Sequence, residues 1–303
     1  MTWLSDEGVA HLRAVTELPD FAETRYRIVR ELARGGMGVV YEADDLDLLR
    51  RVAIKVVSSE LAGSDAVEML RGEAETIARL EHPGIVPVHD VGALPDGRIW
   101  YAMKLVRGRR LDELAAEPHG LAELLRIFLR ICEAVSFAHA NSIVHCDLKP
   151  QNVMLGDFGE VLVMDWGIAR HVGVESGSAL VGGTPGYMAP EQLREGAGSI
   201  DAATDVYALG ITLKELLTST GQTVERPLAA IGAHAAAEVK RDRYPDASAL
   251  AADVRAYLDG RPLVAYRENF FERAAKWLDR NRALLTVVVA YLVMRVIVFL
   301  WVR

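Results

Sequence analysis

The sequence predicts an α+β chain, and three observations point there. Between residues 26 and 103, short apolar stretches with strand periodicity follow one another, separated by glycine-rich and Asp-Gly turns. Beyond residue 107 the pattern turns helical, most clearly over 121–140, a long apolar helix. Near the end, 283–302 is a twenty-residue run with one charge, Arg295, and reads as a separate apolar helix.

Composition bounds the functions open to this chain. Its 303 residues are 51% hydrophobic and 25% charged, ample for a large core. The formal net charge of -8 argues against a nucleic-acid surface. Cys132 and Cys146 are the only cysteines, so neither a disulfide framework nor a zinc site is expected, which fits a reducing cytoplasm. The N-terminus lacks a basic start followed by an apolar core, and no signal peptide is expected.

Residues 1–25 read as an N-terminal extension with a short helix over 9–15. A strand over 26–32 runs into Leu32-Ala33-Arg34-Gly35-Gly36-Met37-Gly38, and a second strand then carries Val40. Glycines at such a turn let backbone N–H groups approach a polyphosphate with no Cβ in the way, although hairpins use the same residues. The third strand holds Val52-Ala53-Ile54-Lys55. A lysine inside an apolar strand is costly to bury unpaired, so a carboxylate partner is expected. The helix over 65–80, apolar at Val67, Leu70, Ile77 and Leu80, offers Glu73 and Glu75. His82-Pro83-Gly84 ends it, Ile85-Val86 starts the fourth strand, Asp96-Gly97 turns a hairpin, and 98–103 makes the fifth strand.

The polar centre of the chain is Ile143-Val144-His145-Cys146-Asp147-Leu148-Lys149-Pro150-Gln151-Asn152-Val153-Met154-Leu155. Short apolar strands flank it, so Asp147, Lys149 and Asn152 sit on a loop held at both ends. Downstream, Val161-Leu162-Val163-Met164 delivers a second acid in Asp165-Trp166-Gly167. One acid near a substrate hydroxyl, with an amide and another acid facing the same pocket, suits metal-assisted phosphoryl transfer.

These motifs resemble those of protein kinases, and in particular the bacterial serine/threonine kinases of eukaryotic (Hanks) type. They occur in the family's order over residues 26–262. The resemblance implies a two-lobed, protein-kinase-like fold: an antiparallel-sheet lobe over 26–103, a hinge at 104–106 and a mainly helical lobe over 107–262. ATP and Mg²⁺ follow as cofactors. Leu32, Val40 and Ala53 would roof the adenine, with Met154 and Met164 beneath it and Met103 as gatekeeper. Lys104 and Val106 would present backbone groups to the base. Ala33, Arg34, Gly35, Gly36, Met37 and Gly38 would cover the phosphates. Lys55 would hold the α- and β-phosphates, with Glu73, rather than Glu75, as its partner. Asp147 would take up or orient the acceptor proton, Lys149 would neutralise the γ-phosphate, and Asn152 and Asp165 would hold Mg²⁺. Lys149 with Pro150 favours serine and threonine acceptors.

The resemblance also reaches the activation segment, 165–191. Gly183-Thr184-Pro185-Gly186-Tyr187-Met188-Ala189-Pro190-Glu191 matches the substrate-docking loop. Thr184 should bond near Asp147 and Lys149, Glu191 should pair with Arg243, and the helix starting over 205–210 should anchor the catalytic loop from below. Ser176 and Ser178 are candidate autophosphorylation sites.

Four departures stand out. Ala33 occupies the first glycine place, which is tolerable if its φ is negative. Trp166 replaces the usual phenylalanine and would need a partner for its indole N–H if buried. Cys146 replaces an arginine that commonly grips an activation-segment phosphate, which points to a phosphate-independent switch or to none. Between Asp205 and Arg243 the chain is short, with a loop over 218–226 and the next helix over 227–239, so the lobe looks trimmed. These departures support a rival reading, a pseudokinase-type module that binds nucleotide or a partner without phosphorylating it. A small-molecule kinase is disfavoured by the docking loop.

The tail predicts a transmembrane helix over 283–302, because twenty residues at ~1.5 Å rise just span a bilayer core. Arg295 costs about 2.5–3.5 kcal/mol, which the surrounding Leu, Val, Ile and Phe offset. Lys276, Arg280 and Arg282 outweigh Asp279 before the span, so a single-pass protein of the cell (inner) membrane with its kinase domain in the cytoplasm is expected. Residues 263–282, with Phe270, Phe271 and Trp277, read as an amphipathic juxtamembrane linker. Only Arg303 follows the span, so no outer sensor domain is expected. The partners expected are protein substrates, ATP, the lipid bilayer and a second copy of the chain, with no nucleic acid.

Overall fold

The structure, a computed structural model, describes residues 19–35, 38–57, 64–117, 119–166, 169–171, 183–194, 200–221, 223–267 and 281–301. The expectations for 9–15, Gly36, Met37, Ser176, Ser178, Phe270, Phe271 and Trp277 lie outside the described residues.

Alternation builds the first lobe. Strands β1 (Tyr26–Gly35), β2 (Gly38–Asp45), β3 (Arg50–Val57), β4 (Val88–Ala93) and β5 (Ile99–Lys104) form one sheet in the order β1-β2-β3-β5-β4. Every pairing in it is antiparallel. Val52, Ile54 and Val56 of β3, with Trp100 and Ala102 of β5, point to an outer cluster with Phe21, Tyr26 and Leu94. Their in-between neighbours Ala53, Tyr101 and Met103 join the main core instead. A period of two thus covers both faces of the central strands and turns Lys55 and Tyr101 inward. Helix α1 (Ser64–Arg79) closes the inner face through Ala74 and Ile77, with Leu80 just beyond its end. The hairpin expected at Asp96-Gly97 forms, with Gly97 at φ +85° and its N–H donating to the Leu94 carbonyl at 2.9 Å.

The second lobe is mainly helical. A three-stranded sheet joins β6 (Gly108–Arg110), β8 (Val153–Gly156) and β9 (Val161–Val163), and β7 (Ile143–Val144) pairs with β10 (Arg170–His171). Around them pack α2 (Leu111–Ala115), α3 (Leu121–Ala140), α4 (Pro190–Arg194), α5 (Ala202–Ser219), α6 (Arg226–Ala235) and α7 (Ala247–Leu258). Helix α3 forms over the span its sequence indicated and buries Leu124, Leu125, Phe128, Ile131 and Val135. Asp201 caps α5 by accepting from the Ala203 N–H, and Asp246 caps α7 by accepting from the Ala249 N–H, each at 2.9 Å. Helices α5 and α6 approach at Gly210, where a Cβ would lie 2.7 Å from the Ala236 nitrogen.

Several boundaries differ from expectation. Ile85 does not open the fourth strand. It bridges Val163 of β9 in parallel, and the Val163 N–H donates to the Gly84 carbonyl at 2.8 Å. That bridge ties the two lobes, and β4 starts only at Val88. Lys104 still belongs to β5, opposite Val52, so the hinge begins at Leu105. The loop expected over 218–226 is shorter: α5 keeps Thr218 and Ser219, and α6 already includes Arg226. Helix α6 ends at Ala235 rather than 239, because the Ala237 and Glu238 carbonyls turn away to accept from Arg243.

A final helix, α8 (Arg282–Trp301), forms where the apolar tail was expected to be helical. Among the described residues, however, no helix is long and apolar enough to cross a membrane. The transmembrane span expected over 283–302 is therefore not shown by the fold.

Candidate active site

The catalytic-loop sequence is held from below by one acid. Asp205, buried on α5, accepts from the backbone N–H groups of His145 at 2.8 Å and Cys146 at 2.9 Å. His139 Nε2 lies 2.8 Å from the same carboxylate. Burial pushes Asp205 upward, but these donors outweigh it and hold the carboxyl below its usual range. Cys146 adopts φ +68°, an unfavourable region for a residue with a side chain, and is clamped there from both ends. Its N–H goes to Asp205, and its carbonyl accepts from Gln192 Nε2 at 2.9 Å.

His145, fully buried, links the two acidic motifs. Its Nδ1 accepts from the Asp147 N–H at 3.3 Å, and its Nε2 lies 2.9 Å from the Met164 carbonyl, which fits the tautomer protonated at Nε2. Trp166 packs beside it at 4.6 Å between rings, and the indole N–H donates to the Val163 carbonyl at 3.3 Å. The substitution at Trp166 thus keeps an anchored aromatic and satisfies its polar atom.

Around Asp147 the predicted polar residues converge. Its Oδ1 accepts from both the backbone N–H and the hydroxyl of Thr184 at 2.8 Å. Its Oδ2 accepts from Lys149 Nζ at 2.8 Å, and Lys149 also donates to the Thr184 hydroxyl at 2.5 Å. Asn152 uses its amide N–H₂ on Asp147, at 2.8 Å to the carbonyl and 3.2 Å to Oδ2. The amide oxygen of Asn152 is then the atom left for a cation.

The first lobe supplies the other half. Lys55 Nζ donates to both oxygens of Glu73 at 2.9 Å and, across the lobes, to Asp165 Oδ1 at 2.8 Å. Glu75 instead forms an exposed pair with Arg71, which settles the choice between the two glutamates. Burial alone would lower the Lys55 ammonium, but Glu73, Tyr101 and Asp165 outweigh it and hold it well above its usual value. Asp165 sits at φ +56°, and 46% of its side chain is exposed. Burial pushes its carboxyl up, yet Lys55 holds it below the ordinary range, so it stays anionic at neutral pH.

One amide oxygen and one carboxylate from two loops fit magnesium, which takes oxygen ligands and is completed by water and phosphate. Among the described residues no group of three or more His, Cys, Asp or Glu could hold a metal, so those residues alone offer no closed cage.

The remaining predicted residues lie around this centre. Ala53 and Met103 are buried and face each other across β3 and β5. Val40, Met154 and Met164 are half-buried, as are Leu105 and Val106. Leu32, Ala33, Arg34 and Gly35 lie on the exposed part of β1, and Gly38 begins β2. Ala33 keeps a negative φ, so the missing glycine costs the backbone nothing there. Lys104 turns its ammonium to Glu160 at 3.2 Å, leaving only its backbone for a base.

Behind the segment 183–191, Arg243 grips Glu191 with two bonds of 2.7 and 2.8 Å. Gln192 joins the segment to the loop, accepting from the Ala189 N–H at 2.8 Å while donating to Cys146. Sequence reasoning missed Gln192, Tyr101 and His139. Tyr101 was within reach, since strand alternation puts it on the face of Met103; Gln192 carries no sequence signal beyond following Glu191.

This geometry agrees with comparisons to known proteins. The protein kinase domain family matches residues 26–242. The chain is 34% identical to serine/threonine-protein kinase PknD of Chlamydia caviae over 297 residues, covering 78% of this chain and 32% of that protein. It is 36% identical to serine/threonine-protein kinase PknB of Mycolicibacterium smegmatis over 262 residues, covering 83% and 41%. It is also 43% identical to the DNA damage-responsive serine/threonine-protein kinase RqkA of Deinococcus radiodurans over 199 residues, covering 62% and 29%. The chain thus spans about a third of the length of these relatives. With its two-lobed architecture and the family match over most of its length, the chain belongs to the protein kinase family.

Proposed function

We propose that this chain is an ATP-dependent serine/threonine kinase that moves the γ-phosphate of ATP to hydroxyls of proteins. The observation that carries the reading is the convergence on Asp147 of Lys149, Asn152 and Thr184, together with Asp165 of the same lobe held by the Lys55–Glu73 pair of the other lobe. Lys55 is the cation for the nucleotide phosphates, Lys149 the one for the transferred group. Asp147 orients the acceptor hydroxyl and takes its proton, while Asn152 and Asp165 would hold Mg²⁺, which would supply charge neutralisation for the phosphates.

The test uses the full chain with Mg²⁺ and labelled ATP on a mixed serine/threonine peptide acceptor, beside Asp147→Asn and Lys55→Met. Wild type should incorporate label, and both variants should lose it by about three orders of magnitude. Equal incorporation in all three, with ATP still bound, would establish the rival reading of a nucleotide-binding module. That rival is motivated by the uncharged Cys146 before the catalytic acid.

The membrane tether belongs to the same proposal. On α8 the consecutive residues Tyr291, Leu292, Val293 and Met294 are all about half exposed, as are Ile297 and Val298 one turn on. Four successive helical positions point in every direction, so an apolar surface lies open on all sides, and hydrocarbon would cover it. Retention in the membrane fraction after alkaline extraction, with the kinase lobes digested only from the cytoplasmic side, is the expected result. Release into the supernatant would end the tether reading. Crosslinking in the same membranes tests for a second copy as partner.

A further inference from the structure

We infer that Tyr101 is a positioning residue: its hydroxyl latches Glu73, and helix α1 with it, in the lysine-paired position without a phosphorylated activation segment. The inference rests on the kinase reading above and extends it to how that site is kept assembled.

The latch follows from register. In the β3–β5 pairing Lys55 lies directly opposite Tyr101, so both side chains leave the sheet on the same face. Tyr101 is 1% exposed, and its hydroxyl donates to Glu73 Oε1 at 2.9 Å. The same oxygen accepts from Lys55, whose ammonium sits 5.9 Å from the Tyr101 ring centroid. Glu73 is therefore fastened to two strands, by a cation on β3 and a neutral hydroxyl on β5. Burial and the neighbouring carboxylate hold the phenol well above its usual range, so it remains a donor throughout the physiological range.

The two fastenings behave differently when a nucleotide binds. Lys55 is placed to share its charge with the phosphates, so its hold on Glu73 is divided. Tyr101 is buried away from solvent, and its bond stays with Glu73 alone. The need for such a latch is visible at Cys146. Its thiol supplies no charge to grip a phosphate, and its backbone is already tied to Asp205 and Gln192 through uncharged peptide groups. Gln192 joins the end of the activation segment to the catalytic loop by hydrogen bonds alone, and Tyr101 does the equivalent for α1. The active arrangement is thereby built in.

The test is Tyr101→Phe in the full chain, which keeps the ring and removes the hydroxyl. kcat should fall about tenfold while KM for the peptide changes less than about twofold. On a Glu73→Ala background the same change should cost nothing further, since the hydroxyl acts through that carboxylate. Amide exchange over 71–79 should quicken about tenfold while that of α3 is unchanged. Wild-type protein treated with phosphatase should keep its rate within about twofold. Unchanged kcat and unchanged exchange in Tyr101→Phe would overturn the latch, as would a full additional loss on the Glu73→Ala background. Loss of wild-type activity on dephosphorylation would overturn the phosphate independence. Should wild type transfer no phosphate at all, the kinase reading fails, and the exchange comparison still decides the latch.

Discussion

Glu191 and Glu73 are both buried and both meet cations, and they differ in what closes around them. Glu191 meets Arg243, whose five N–H groups are all used: two on Glu191 and three on the carbonyls of Ala203, Ala237 and Glu238. Thr204 adds a hydroxyl donor to Glu191 at 3.1 Å. Nothing in that network is left over for a ligand. Glu73 meets Lys55, and Lys55 reaches on to Asp165, which is half open to solvent. A closed network braces, whereas an open one holds charge ready for something that arrives.

The comparison can be broken at either end. The largest effect is expected from Asp165→Asn, which removes the charge of the open network. Phosphotransfer should fall about 10⁴-fold, roughly 5.5 kcal/mol of barrier, with little change in thermal midpoint. A substantial loss of stability would mean that this network is a brace after all. Arg243→Met should do the reverse. Leaving Glu191 buried without its cation should cost about 3–5 kcal/mol of stability by denaturant titration, with activity per folded molecule retained.

Finer changes sharpen the contrast. Thr204→Val removes one hydroxyl from a charged acceptor and should destabilise the protein by about 1.5–3 kcal/mol, with no change in KM for ATP. The weakest signal near neutrality is the pH dependence of the closed pair. Burial pushes the Glu191 carboxyl up, but Arg243 outweighs it and holds it below the usual range. The folded value is therefore lower than the unfolded one. The pair's contribution is complete above about pH 5, since an unfolded glutamate titrates near 4.3, and it is lost as the pH falls through the folded value. Acid titration of stability should flatten in Arg243→Met, and an unchanged acid limb would assign that limb to other carboxylates such as Asp205.

Much of this was legible in the sequence because two signals overlap there. Strand alternation and the 121–140 helix indicated the layers, and the resemblance of the motifs around Asp147, Lys149, Asn152 and Asp165 to those of protein kinases indicated the site. The choice of Glu73 over Glu75 and the pairing of Glu191 with Arg243 came from motif resemblance alone. What stayed hidden was set by partners distant in sequence. Ile85 reads as the start of β4 on local pattern, but its partner is Val163, and no local rule reports a bridge between lobes. The end of α6 likewise depends on Arg243 drawing the Ala237 and Glu238 carbonyls away. Tyr101 looks like any apolar strand residue until Glu73 is seen opposite its hydroxyl.

The contact at Gly210 reaches further than its size suggests. A single methyl added there would meet the Ala236 nitrogen at 2.7 Å and act as a wedge between α5 and α6. The carbonyls next in line, Ala237 and Glu238, are two of the acceptors that fill out the Arg243 guanidinium, so the displacement would be handed on to Glu191. One missing carbon on α5 thus bears on how firmly the Glu191–Arg243 pair is seated.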